Sequence, residues 1–312
     1  MTIPLLLAID VAPENRARLR DAGFEPLPST GPDRMPGSRA AEIRAVLTNG
    51  SSGFSAAQIA ALPALEIICA LGAGYEKIDL AAASARGITV TNGAGTNDVA
   101  VADHAMMLLL ATVRGVVQAD AAARRGEWAG ARQLRPSVSG KRLGLLGLGH
   151  IGQRIAERGA GGFGMEVAYH SRRPREGSPF RHEPDLRALA AWCDFLVVAT
   201  PGGAETRHLV DAAVLRALGP GGFLVNIARG SVVDTGALIE ALEQERIAGA
   251  GLDVVEGEPD DIPARLTRLE NVILTPHIAG RSPEAVLATV RLVIDNLRAH
   301  FSGQAVLTPV SG

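Results

Sequence analysis

The sequence predicts an α/β protein built as two doubly wound parallel-sheet domains. Short apolar, β-branched runs alternate with Ala- and Leu-rich helical stretches along the chain, the pattern of parallel sheets covered by helices. The 312 residues, 47% of them hydrophobic, exceed what a single core usually takes. Aromatic residues make up only 4%, against 36 glycines, so the core must be Leu, Val, Ile and Ala, which suits close helix-on-sheet packing. The same scarcity leaves few platforms for stacking nucleobases.

In the first third, strands are predicted at Leu5–Ile9, Ala45–Thr48, Glu66–Ala70 and Ile88–Thr91. Helices fit between them at Glu14–Ala22, Ser55–Ala61 and Asp79–Ala85, with Ser55 and Asp79 as N-caps. Gly23 and Gly87 follow helix ends, where a left-handed residue is favoured. One long helix is expected from Asp98 to Arg125, with Met106, Leu109, Leu110 and Val113 on one face. A Gly- and Arg-rich connector, Arg124–Ser139, carries Trp128. A second series then reads as strands at Arg142–Leu146, Glu166–His170, Phe195–Ala199, Phe223–Ile227, Ala248–Leu252 and Val272–Leu274. Its helices are Ile151–Gly159, Ala188–Trp192, Ala212–Ala217 and Thr235–Glu245. The last helix, Pro283–His300, has Pro283 in its first turn and Ser282 as cap.

Net charge is −2, with no block of like charge, so no nucleic-acid partner is expected. The N-terminal apolar run lacks a basic flank and stops at Asp10, and no stretch has the length of a bilayer span. No secretory leader, no membrane partner and a cytoplasmic location are the expectations. Cys69 and Cys193 lie far apart in apolar runs, which predicts buried inert thiols, without a disulfide framework or a metal site.

The segment Gly147-Leu148-Gly149-His150-Ile151-Gly152 has the glycine spacing of a dinucleotide turn. Alone the pattern is weak. Here a buried strand precedes it, a helix starts within it, and a second strand follows at βαβ distance. Gly147 would permit the tight turn, Gly149 the approach of a pyrophosphate, and Gly152 close helix packing, with the helix N-terminus facing the phosphates. At the end of the second strand, where a carboxylate would bind ribose hydroxyls, stands Ser171-Arg172-Arg173. A hydroxyl and two guanidinium groups suit a 2′-phosphate, and so predict NADPH/NADP. A solvated basic loop, with Arg175 also near, is the bland alternative.

Three later strand ends carry chemistry: Asn226-Ile227-Ala228-Arg229-Gly230, Asp253 through Pro259, and Thr275-Pro276-His277-Ile278-Ala279-Gly280. Ligands of open α/β sheets collect at such carboxyl ends. Reducing a 2-keto acid needs a cation for the carboxylate and the polarised carbonyl, and an acid for the developing alkoxide. Arg229, Glu258 and His277 are the residue types that could supply these. Singly each reads as a surface or packing residue; jointly they form a candidate site.

With these segments, and with Gly72-Ala73-Gly74-Tyr75-Glu76-Lys77-Ile78-Asp79 and Asn97–Met107, the chain resembles the D-isomer-specific 2-hydroxyacid dehydrogenases over nearly its whole length. The resemblance implies a flavodoxin-like substrate domain, 1–98 plus 284–312, and a Rossmann dinucleotide-binding domain, 99–283, inserted in it, with the active site in the cleft between them. It implies that Arg229 binds the substrate carboxylate and carbonyl, that His277 is the acid in reduction, and that Glu258 pairs with His277. Backbone amides of Leu71, Gly72, Ala73 and Gly74 would hold the carboxylate. Cofactor contacts would come from residues 147–152, Ser171, Arg172, Arg173, Thr200, Pro201, Thr206, Ile227, Ala228, Arg229, Asp253 beside the nicotinamide, His277, Ala279 and Gly280. The Ser-Arg-Arg ending and the short chain look most like the NADPH-dependent hydroxypyruvate and glyoxylate reductases, which implies a small 2-keto acid partner, and the family resemblance implies a homodimer through the cofactor domains. Glu76-Lys77 departs from relatives and reads as surface variation. Trp128 reads either as an interface packing residue or as a lid on the neighbouring subunit's pocket. Two rivals stay open: a dehydrogenase for a bulkier 2-keto acid, and a sensor that binds the cofactor without turnover.

Overall fold

The computed structural model describes residues 2–30, 35 and 37–310. The chain divides into two compact units, residues 1–97 with 280–312, and residues 98–279.

In the first unit the elements run β1 (Ile3–Leu7), α1 (Pro13–Asp21), β2 (Phe24–Pro28), β3 (Ala45–Thr48), α2 (Ala56–Ala60), β4 (Ile67–Ala70), α3 (Leu80–Ala85) and β5 (Thr89–Thr91), and the C-terminal helix Pro283–Phe301 joins them. Among the described residues the strands form one parallel sheet in the order β2-β1-β3-β4-β5, the flavodoxin-like arrangement. Both faces are covered, so successive strand residues enter different cores. Leu6, Val46 and Ile68 pack with Phe54, Ile59 and Leu62 on one side. Leu5, Leu7, Leu47 and Ile67 pack with Val290, Val293 and Leu297 of the C-terminal helix on the other. The predicted caps are in place: Ser55 and Gln58 form a reciprocal capping box, and Asp79 accepts from the Ala82 amide at 2.9 Å. Ser282 likewise caps the C-terminal helix.

The strand β2 is not evident in the sequence, because Phe-Glu-Pro-Leu-Pro contains two prolines. Among the described residues it is an edge strand paired only with β1, where a missing N–H can face away from the ladder.

The second unit comprises α4 (Asp98–Arg114), α5 (Val116–Arg124), β6 (Arg142–Leu146), α6 (His150–Phe163), β7 (Glu166–His170), β8 (Arg181–His182), α7 (Leu186–Trp192), β9 (Phe195–Val198), α8 (Ala212–Leu218), β10 (Phe223–Asn226), α9 (Thr235–Glu243), β11 (Gly249–Leu252), α10 (Ala264–Thr267) and β12 (Val272–Leu274). Among the described residues its sheet is parallel throughout, in the order β12-β11-β10-β9-β6-β7-β8. That is the Rossmann order, and the strand sequence reverses direction between β6 and β9.

The single helix expected from 98 to 125 is in fact two. Gly115 sits at φ 60°, and α4 and α5 meet there at 60°. A left-handed residue ends an α-helix, and the apolar periodicity of Val116 and Val117 concealed that break. Residues Val101, Ala105, Leu108 and Leu109 of α4 are buried with Leu143, Leu145, Val197 and Val225 of the sheet. The opposite sheet face, Leu146, Leu196 and Leu224, packs on α7, α8 and α9. Among the described residues no single helix is long and apolar enough to cross a membrane.

Candidate active site

The glycine turn follows β6, at the reversal point of the Rossmann sheet. Gly147 has φ 102°, and a Cβ on it would lie 2.8 Å from the Ala199 carbonyl oxygen. It therefore both takes a left-handed conformation and abuts the end of β9, next to Thr200. A Cβ on Gly152 would come within 2.3 Å of the Gly147 oxygen, so the first turn of α6 presses on the glycine turn itself. Closeness to the strand is provided about two turns later, at Gly159, where a Cβ would meet Leu143 at 2.7 Å. Sequence reasoning missed that glycine because it lies outside the motif. Gly149 caps α6, and a Cβ on it would meet nothing within 4 Å. Open space at the N-terminus of a 14-residue helix fits a dinucleotide pyrophosphate.

Ser171, Arg172 and Arg173 follow β7, which lies directly beside β6. The Ser171 hydroxyl donates to the Arg173 carbonyl at 2.6 Å, tightening this loop. Arg172 reaches Glu205 at 2.6 Å. Arg175, though exposed, is tied back at two points: its guanidinium donates to the Leu148 carbonyl in the glycine turn, and its amide donates to the buried Tyr169 hydroxyl, both at 2.7 Å. The loop after β7 is thus tied to the glycine turn by a cation.

The three candidate segments lie at the ends of the neighbouring strands β10, β11 and β12. His277 Nδ1 donates to Glu258 Oε1 at 2.7 Å, and Glu258 Oε2 accepts from the Val255 amide at 3.1 Å. Arg229 lies at the end of β10 with Nη1 on the Ala228 carbonyl at 2.6 Å. Two glycines make room for it. A Cβ on Gly202 would lie 2.7 Å from the Arg229 Cγ, and one on Gly230 would lie 2.1 Å from the Val255 carbonyl carbon. The segment bearing Arg229 therefore runs against the one bearing Glu258. Asn226, almost fully buried, accepts from the Ala228 amide and donates to the Arg229 carbonyl, holding that loop. Ile227 and Ala228 are themselves buried.

Asp253 is 2% exposed, and its carboxylate is committed to the His277 loop. It accepts from the Ile278 amide at 2.9 Å, the Ala279 amide at 3.0 Å and the Thr275 hydroxyl at 2.6 Å. His104 of α4 completes the group, with Nε2 2.9 Å from the Thr275 hydroxyl. A second support also escaped sequence reasoning. His208 Nε2 lies 2.9 Å from Glu256 Oε1, joining the loop after β9 to that after β11. Burial pushes the Glu256 carboxyl up, but the bonds to His208 and Thr235 outweigh it and hold it below the usual carboxylate range. Neither histidine falls in a recognisable spacing: His104 is carried on α4, which packs on the sheet, and His208 on a loop that the parallel sheet sets beside the one after β11. Thr206, in a short 3₁₀ turn, and Pro201 flank this same loop.

In the first unit, the turn after β4 is held from its carbonyl side. Gly93 donates to the Gly72 carbonyl and Asn92 to that of Ala73, both at 2.7 Å. The Leu71 amide is taken by Thr48, which leaves Gly72, Ala73 and Gly74 to supply donors. Gly280 packs on Asn97, where a Cβ would meet the side-chain amide at 2.7 Å. Glu76 and Lys77 are exposed, and Trp128 is 69% exposed.

A model of the D-isomer specific 2-hydroxyacid dehydrogenase NAD binding domain matches residues 106–279, all within the second unit. The chain belongs to the D-isomer specific 2-hydroxyacid dehydrogenase family. A 2-ketogluconate reductase of Gluconobacter oxydans is 43% identical over 98% of both chains. A glyoxylate/hydroxypyruvate reductase of Arabidopsis thaliana is 44% identical over 86% of this chain and 85% of its own. The crystal structure of an NADPH-dependent glyoxylate/hydroxypyruvate reductase from Sinorhizobium meliloti, in complex with NADP and malonate, superposes with a TM-score of 0.92 at 41% identity, covering 99% of this chain and 97% of that one. In this 2-hydroxyacid dehydrogenase the parallel Rossmann sheet and the glycine turn accordingly form the family's nicotinamide-dinucleotide domain.

Proposed function

We propose that this dehydrogenase reduces a small 2-keto acid, hydroxypyruvate or glyoxylate, to the D-2-hydroxy acid with NADPH. The observation that carries the reading is the 2.7 Å bond between His277 and Glu258, which stand with Arg229 past the carboxyl ends of three neighbouring strands. When bound, the nicotinamide supplies the hydride. The glycine turn, the α6 N-terminus and the cations after β7 would hold the dinucleotide. Glu258 accepts from Nδ1 and so orients the imidazole, leaving Nε2 to donate a proton to the alkoxide oxygen as it forms. Arg229 would neutralise the substrate carboxylate and polarise its carbonyl, and the fork of a guanidinium suits both tasks. Within the first unit, the turn amides of Gly72, Ala73 and Gly74 are the candidate donors to a carboxylate. Asp253, whose carboxylate is spent on backbone amides, sets the His277 loop in place.

A longer, polyhydroxylated 2-keto acid is a second reading, favoured by the relative that acts on 2-ketogluconate and matches along almost the whole chain. Steady-state rates with hydroxypyruvate, glyoxylate, 2-ketogluconate and phenylpyruvate, each with NADPH and NADH, separate the two. Selectivity for the first pair with NADPH supports the proposal. Silence across the panel with tight NADPH binding would favour a sensor instead. We also assign a homodimer through the second unit, because Val116, Val117 and Leu134 are large apolar side chains left exposed there. Light scattering giving a monomer mass would refute it.

A further inference from the structure

The exposed ion pair between Arg172 and Glu205 spans the place where the sheet would receive adenosine. Arg172 stands in the loop after β7, and Glu205 in the 3₁₀ turn after β9. These strands flank β6 on its two sides, so their ends lie two strand spacings apart, about 9.5 Å. Between them is the β6 glycine turn, with open space over Gly149. The side chains nevertheless meet at 2.6 Å, forming an arch from one loop to the other. Each is largely exposed, at 87% and 78% of its side chain. Such a pair is a weak tether. A 2′-phosphate offers the guanidinium a doubly charged partner in place of a singly charged one.

From this arch we infer that Glu205 is a specificity-determining residue, an internal competitor for the 2′-phosphate that holds Arg172 until NADPH replaces it. The inference rests on the assignment of Arg172 to the cofactor phosphate. Glu205 opposes NADPH in two ways: it occupies the guanidinium, and it leaves a carboxylate beside the phosphate after the exchange. NADH brings no charge to this position, and so gains nothing from Arg172 and loses little to Glu205. Arg175 is outside the exchange, because its guanidinium is already fixed on the Leu148 carbonyl.

The test is direct binding of NADPH and NADH to the wild-type enzyme, Glu205→Gln and Glu205→Asp, by quenching of tryptophan fluorescence or by calorimetry. Glu205→Gln is expected to tighten NADPH about three- to tenfold and to leave NADH within twofold. Glu205→Asp, which keeps the charge on a shorter arm, should fall between. The gain should shrink in 0.5 M salt, where exposed charges are screened over a few ångströms. Unchanged or weakened NADPH binding in Glu205→Gln would overturn the inference, as would an equal change for both cofactors. A wild-type enzyme indifferent to the two cofactors sinks the NADPH reading alone; a selective gain in Glu205→Gln would still stand beside it.

Discussion

His277 donates through Nδ1 to Glu258 at 2.7 Å from a backbone held at φ 53°, a conformation that non-glycine residues seldom adopt. The backbone pose is imposed by its neighbours: the His277 amide donates to the Asp253 carbonyl, and the next two amides go to the Asp253 carboxylate. Strain of this kind persists where the surroundings over-determine it. The imidazole is thus aimed by two carboxylates, one on its ring and one under its loop.

Replacing His277 by Asn keeps a residue tolerant of the left-handed region and removes the Nε2 proton. The proposed role requires kcat to fall by roughly 10²–10⁴-fold with NADPH affinity within twofold. Stopped-flow turnover beside a binding titration measures both; full turnover would remove His277 from the mechanism. Glu258→Gln should cost kcat roughly 10²-fold and move the pH–rate profile, because the ring loses a charged partner.

Asp253→Asn should weaken folding rather than chemistry alone. An amide cannot accept two backbone amides and a hydroxyl with the same group, and hydrogen bonds to a charged acceptor are worth about 1.5–3 kcal/mol each. A loss of that order in urea unfolding, accompanied by reduced kcat, is expected. Unchanged stability would show that the carboxylate does not brace the loop.

The three glycines of the cofactor turn should separate. Gly149→Ala adds a methyl where nothing lies within 4 Å, so the melting temperature should hold while NADPH affinity drops at least about tenfold. Gly147→Ala and Gly152→Ala drive a methyl into backbone, and should lower both, with strain of about 1–3 kcal/mol. Equal melting temperatures for all three would contradict the packing described.

The thiols of Cys69 and Cys193 are pushed up to about 12 by burial. At pH 8 neither should react with a disulfide reagent in the native protein, whereas both should react in guanidinium chloride. Rapid labelling of either before unfolding would refute this.

Acid should destabilise the second unit through Asp194. Burial raises its carboxyl, but the Arg142 guanidinium and amide overcome that and hold it below the ordinary value of about 3.9. A depressed carboxyl stabilises the fold above the unfolded-state value, and the contribution is lost as pH falls through the folded one. Between pH 5 and 3, unfolding free energy should therefore fall less in Asp194→Asn than in wild type.

Much of this protein is legible without coordinates, for a local reason. Caps at Ser55, Asp79 and Ser282, the apolar runs and the glycine spacing act within a few residues of themselves, so periodicity and side-chain type determine them. The same holds for Arg229, Glu258 and His277, which stand at strand ends that the pattern marks. Tertiary structure decided what depends on residues distant in sequence. Edge position admitted the prolines of β2, and a single φ at Gly115 broke a helix that composition would continue. Sheet order set β7 and β9 on either side of β6, and so gave Arg172 a partner at Glu205 and Arg175 one at Leu148. His104 found its partner through the packing of α4 on the sheet, and His208 through strand order, because strand neighbours and covering helices are chosen by burial of whole faces, which no short window of sequence records.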